Sequence, residues 1–216
     1  MERRQVLEAI RTGAVLVSLP LSLLVAPGFS AAEPAPDRGI QVVHGLAADI
    51  WSSRDRQADD ARRRQRLAKA IEASTNVDLL SRLVLGRHWR SMSAADRGDY
   101  RMLFSKVVIG GLAGRLDTLL HDLDGPLDQH FAVTSSRVIG KNDVFVRSKV
   151  TAADGRPLAV DWRLRAFEER LVIIDLVVEG VSLVVSQRAE FAAVIARGGI
   201  EGLIETLRRR AGSAGD

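Results

Sequence analysis

The chain has no cysteine among its 216 residues. Disulfide staples, thiol nucleophiles and thiolate metal sites are therefore excluded. Aromatic residues are scarce, at 5%, while 46% of the chain is hydrophobic. A core built from such a chain is aliphatic, which suits either plain packing or a greasy cavity, and composition does not choose between them. His44, His88, His121 and His130 form no i, i+4 pair and no HExxH pattern, so no metal centre is expected. A nucleophile elbow, a phosphate-binding loop and a dinucleotide fingerprint are also missing. Gly110-Gly-Leu-Ala-Gly114 falls inside a helical pattern rather than after a strand. No catalytic residue and no cofactor are expected. The net charge of +4 is a mild excess, too weak to argue for nucleic acid but able to favour anionic lipid or acidic partners.

The one long apolar stretch is too short to span a bilayer, which takes about 20 residues. It covers the 13 residues from Ala14 to Ala26 and follows Arg3, Arg4 and Arg11. Ser30-Ala31-Ala32 then supplies small residues where a signal peptidase needs them. Residues 1–32 thus read as a secretory signal cleaved after Ala32, and the mature protein as periplasmic. Arg3-Arg4 fits a twin-arginine signal, although Glu8 is less typical of one, and a Sec signal fits equally. Without residues 1–32, which carry three arginines and two glutamates, the net charge is +3. Residues 33–39, with Pro34 and Pro36, read as a linker.

A single domain is expected over 40–210, followed by a flexible tail over 211–216. Ile40, Val43, Ala47, Ile50 and Trp51 recur at helical spacing. A second helix, from about Ala58 to Ala73, is apolar at Leu67 and Ile71 and basic at Arg62, Arg63, Arg64, Arg66 and Lys69. That basic side is either a solvated face or a patch for anionic membrane or an acidic partner. A short helix spans Val77 to Leu85 and stops at Gly86. Ser93 with Asp96 marks the cap of the longest helix, whose apolar face includes Leu103, Val107, Leu112 and Leu116. Gly110, Gly111 and Gly114 interrupt it, each at a cost of about 1 kcal/mol, and permit close approach of a helix or a ligand chain.

After Gly125-Pro126 the period changes from helical to alternating. Phe131 to Val138 is a first strand. Val144 and Val146 face one way on the second. Val160, Trp162 and Leu164 face one way on the third, opposite Asp161, Arg163 and Arg165. Leu171 to Val178 is apolar nearly throughout, as a strand covered on both faces would be. Asp161 suits cross-strand ion pairing. Asp175, the acidic residue inside the apolar strand, suits a bond to backbone donors or to an arginine. Glu179-Gly180 then joins strand to helix. Ser182 to Ala196 carries Val184 and Phe191 on its apolar face, Gly198-Gly199 stops it, and Ile200 to Arg210 closes the chain. The expected fold class is α+β: N-terminal helices, a four-stranded antiparallel meander and two C-terminal helices.

Three segments carry a resemblance: Leu83-Val-Leu-Gly-Arg-His-Trp-Arg90, Val160-Asp-Trp-Arg-Leu-Arg165, and Asp175 to Leu183 followed by Gln187-Arg-Ala-Glu-Phe191. Together they resemble the MlaC family, the toluene-tolerance periplasmic phospholipid carriers, over about residues 40–210. Leu171 and Val77-Asp78 stand where that family often has an aromatic and Phe-Asp. The resemblance implies an apolar cavity enclosed by helices and sheet. It implies a phospholipid cargo carried between an outer-membrane lipoprotein complex and an inner-membrane ABC transporter with an MCE-domain subunit, without catalysis. Leu103, Val107, Leu112, Leu116, Val144, Val146, Val160, Trp162, Leu164, Val184 and Phe191 are then the expected lipid-binding residues. Periodicity picks them out; only the resemblance says that the space between them is hollow. Three other readings stay open: a carrier of another apolar lipid such as a hopanoid, an enzyme acting on a hydrophobic substrate through Asp175, and an interaction protein with a filled core.

Overall fold

The computed structural model of the chain describes residues 34–55 and 57–213. The expected export segment lies outside these residues, as do positions 214–216 of the expected tail.

Helix α1 spans Pro36–Ser52. It begins inside the stretch read as a linker, because Pro36 sits at the helix start, where its missing N–H costs nothing. Helix α2 (Asp60–Ser74) is capped by Asp59, which accepts from Arg62 N, and α3 (Val77–Leu85) by Asn76, which accepts from Leu79 N. A 3₁₀ turn over Gly86–Ser91 leads to α4 (Ala94–Phe104). Ser93 caps α4 as its sequence indicates, accepting from Asp96 N and donating to Asp96 Oδ2. The expected longest helix is not uniform: Ser105–Ile109 forms a π turn before α5 (Gly110–His121) resumes.

The sheet has five antiparallel strands rather than four, in the order β1-β2-β3-β4-β5. They are β1 (Phe131–Ile139), β2 (Asp143–Thr151), β3 (Pro157–Phe167), β4 (Arg170–Val178) and β5 (Val181–Ser182). The extra strand exists because Glu179 and Gly180 do not lead straight into a helix. Both have positive φ, 49° and 80°, which is the two-residue hairpin geometry matched to strand twist. The chain folds back, so that Val178 pairs with Val181. Glu179 holds this position by donating its N–H to Ala159 O and accepting from Ala159 N on its side chain.

The alternation read from the sequence matches the register. Val144 pairs with Leu164, Val146 with Trp162 and Ser148 with Val160, all on one face. On the other face Asp161 pairs with Arg147 across the strands, at 3.7 Å. The β3–β4 ladder shifts between Arg163 and Leu164, leaving Ile174 as an extra residue in β4. That bulge explains the unbroken apolar run there: it changes which way successive side chains point.

The two C-terminal helices expected from the sequence follow one another directly over Leu183–Ser213, together α6, with a kink between them. The kink lies at Gly199, whose φ 65° and ψ −167° belong to a region that glycine alone enters freely. The run continues past Arg210 because Ala211, one turn beyond Leu207, is buried in the helical core.

Two apolar clusters result. One joins α1 to the sheet through Val43, Leu46, Val144, Val146 and Leu164. The other joins α2–α6 through Leu67, Tyr100, Phe104, Phe191 and Leu203. Tyr100 is fully buried and donates its hydroxyl to Ser81 O, and burial pushes its pKa far up. Leu103 and Phe191 belong to this second packed cluster.

Candidate functional site

Between the two clusters lies a cavity of about 700 Å³, within the range of about 300–1,000 Å³ usual for ligand sites. Its sheet wall is Trp162 with Ile173, Ile174 and Leu176. The bulge at Ile174 makes this wall, because successive residues of β4 can then border the same space. Trp162 contributes without an unsatisfied donor: its Nε1 donates to Ser148 Oγ at 2.9 Å, which in turn donates to Val160 O at 2.7 Å.

The opposite wall comes from the α4–α5 rod. Phe104, Val107, Val108 and Ile109 all border the cavity, followed by Leu112 and Leu116. The π turn lets three successive residues do so, since it is wider than an α turn and recurs at functional sites. Leu46 and Ile50 of α1, Ile71 of α2, Leu80 and Val84 of α3, and Leu183 and Val184 of α6 complete the apolar lining.

Of the sequence-predicted site residues, Val107, Leu112, Leu116, Trp162 and Val184 border this space. Six do not. Leu103 and Phe191 pack inside the helical cluster. Val144, Val146, Val160 and Leu164 are sealed in the cluster that α1 makes with the sheet. The strand pattern shows correctly which way they face, but α1 covers that part of the sheet. Gly39 lets it lie close: an added Cβ there would sit 2.6 Å from Val144 Cγ1. Of the three glycines in the rod, Gly111 borders the cavity and an added Cβ there would meet nothing within 4 Å, while Gly114 faces the Arg64 stem of α2. Sequence reasoning missed the contribution of α1, the bulged run Ile173–Leu176 and the polar residues where the cavity reaches solvent. The helical spacing of Ile50, the apolar side of α2 at Ile71 and the apolar run of β4 carried a sequence signal, while the polar residues carried none.

Asp175 borders the cavity with its carboxylate already engaged. Ser182 Oγ donates to it at 2.6 Å, Leu176 N at 2.8 Å and Val184 N at 3.1 Å. It therefore ties the bulge of β4 to the start of α6. Among the described residues no group of three or more His, Asp or Glu side chains is placed to hold a metal ion. No helix among them is long and apolar enough to cross a membrane.

The basic side of α2 is largely tied to the protein. Arg63 bonds Asp117 of α5 at 3.0 Å and Asp60 at 2.6 Å, with only 12% of its side chain exposed. Arg66 pairs with Asp55, Arg62 with Asp59, and Arg64 Nε donates to Asp60 O. Arg63 is thus an interhelical tie rather than part of a free cationic surface.

The model of the family described as MlaC protein matches residues 41–209. No curated protein matches the chain. Among solved structures, a phospholipid-binding protein from Ralstonia solanacearum, in complex with a phospholipid, is similar to it. That similarity has a TM-score of 0.69 at 22% identity and covers 85% of this chain and 99% of the other.

Proposed function

The chain belongs to the MlaC family, and on that premise we propose that it is a periplasmic carrier that binds phospholipid by its acyl chains. It collects lipid at one membrane and delivers it at the other, exchanging with an outer-membrane lipoprotein complex and an inner-membrane ABC transporter that has an MCE-domain subunit. The observation that carries this reading is the apolar cavity of about 700 Å³ between sheet and helices. Each methylene removed from water is worth about 0.8 kcal/mol, so a lipid does not cross an aqueous compartment unaided. A carrier must supply that burial. Conversely, apolar walls around a void lack partner atoms on one side, and a chain lying between them restores those contacts.

The Ralstonia solanacearum protein of similar fold, described in complex with a phospholipid, supports the same cargo class. Asp175, the residue that an enzyme reading would need, is held by a hydroxyl and two backbone donors, which supports a structural part for it. The secretory signal read over residues 1–32 supports the compartment.

The test is to purify the mature protein without detergent, extract it with organic solvent and identify the extract by mass spectrometry. Phospholipid in stoichiometric amount is expected. Recovery of hopanoid or another neutral lipid in its place would change the cargo, and recovery of no lipid would overturn the carrier reading.

A further inference from the structure

The residues that border the cavity and also reach solvent mark its mouth. They are Gly111 and Arg115 of α5, Ser186 and Glu190 of α6 before its break, and Arg210 after it. Four charged side chains border the cavity: Asp175, Glu190, Arg115 and Arg210. Three are satisfied within the fold. Asp175 has its three donors, and Arg210 pairs with Glu190 at 2.6 Å. Arg115 makes no hydrogen bond or ion pair with any described residue.

Arg115 lies one helical turn from Gly111 and next to Leu116, on the face of α5 that borders the cavity. Its stem can follow the apolar wall while the guanidinium stays wet. Gly111, one turn before it, leaves open space: an added Cβ would meet nothing within 4 Å. The mouth therefore pairs an unclaimed fork of five donors with room for a group beside it. A lipid whose chains fill the cavity leaves its headgroup at that level. A phosphodiester carries one negative charge and presents oxygens that a guanidinium can hold bidentately.

Resting on the carrier reading above, we infer that Arg115 holds the phosphate of the bound lipid, and so makes the cavity select phosphate-bearing lipids over neutral lipids with the same chains. The site is exposed, so its effect is that of one solvated charge-assisted hydrogen-bonding group, about tenfold in relative affinity.

The test is a competition. Delipidated protein is given equal amounts of dioleoylphosphatidylglycerol, dioleoylphosphatidylethanolamine and dioleoylglycerol, and the bound lipids are counted by native mass spectrometry. Wild type is expected to favour both phospholipids over dioleoylglycerol. Arg115→Ala should lower that preference about tenfold while still binding dioleoylglycerol, and Arg115→Lys should keep part of it. Arg197→Ala, an exposed change off the cavity lining, should leave it unchanged. An unaltered preference in Arg115→Ala would overturn this inference and leave the carrier reading standing. Equal loss of all three lipids would also overturn it, because Arg115 would then shape the mouth rather than read charge. Failure of wild type to bind any of them would remove the carrier reading itself.

Discussion

On one part of the sheet, α1 lies so close that Val144 and Val146 have no accessible surface. Over its other part, the same kinds of aliphatic side chain border a cavity of about 700 Å³. The two regions share the sheet and differ in what lies over it. Under α1 the β2–β3 ladder runs unshifted from Asp143–Arg165 to Thr151–Pro157. The hollow side is bounded by a bulge in β4, a π turn between α4 and α5, and a helix broken at Gly199. The contrast teaches that residue type does not decide between a packed and a hollow core. What lies opposite does: α1 rests directly on β1 and β2, whose own ladder has a bulge between Val133 and Ser135, while the hollow side faces the α4–α5 rod and the start of α6. Beside that hollow, Tyr100 packs its ring against Phe191 and against Phe104, which borders the cavity.

The sharpest way to break the comparison is to add the same bulk on each side. Val146→Trp inserts a large ring under α1 and is expected to cost about 3 kcal/mol or more, since overpacking a filled core typically costs about 1–3. For a chain of this length the loss is a fall of about 6–12 °C in Tm. Leu112→Trp, on the cavity wall, should lower Tm by no more than about 4 °C and reduce co-purified lipid. Calorimetry beside lipid quantification checks both. Equal destabilisation by the two changes would mean that the second region is as full as the first.

Next in size is Asp143, at the edge of the packed region. Its side chain is 6% exposed and takes Arg163 at 2.6 Å and Arg165 at 2.7 Å. Burial alone would raise the carboxyl, but the hydrogen bonds and charges of Arg165 and Arg163 outweigh it and hold the pKa below the usual value. A carboxyl lowered in the folded state stabilises above the unfolded pKa, and that stability is lost as pH falls through the folded pKa. Asp143→Asn should therefore cost about 2 kcal/mol at pH 7, less than a fully buried pair because both arginines are partly wet. The gap between variant and wild type should hold constant down to about pH 4 and then close. Denaturant titrations across pH 2–7 follow it, and a gap independent of pH would deny the ion pairs their part.

The smallest effect sharpens the hollow side. Gly111→Ala places a methyl where nothing lies within 4 Å, and removes a helix glycine that costs about 1 kcal/mol. Stability should rise by about that amount, with lipid content unchanged. A loss of lipid on adding this one methyl would show that the bound headgroup presses directly on Gly111, tightening the case for Arg115 beside it.

The amino-acid pattern alone determined much of the molecule. Caps such as Ser93 with Asp96, stops such as Gly86, and the alternation of Val160, Trp162 and Leu164 are written in local chemistry, where each residue's neighbours in sequence decide its conformation. The same pattern told which side chains turn inward, and five of the expected site residues border the cavity. Three things were decided only by tertiary structure. The positive φ at Glu179 that makes β5 is held by Ala159, twenty residues away in sequence. The extra residue Ile174 arises in the pairing of β4 with β3 and has no signature in a run that is apolar at nearly every position. Above all, which inward-facing residues are sealed and which are left bordering a void depends on where α1 comes to rest. That follows from the fit of Gly39 onto Val144, a contact between residues more than one hundred positions apart. Periodicity is a local property and reports direction; emptiness is a property of what lies opposite, and only the assembled fold supplies that.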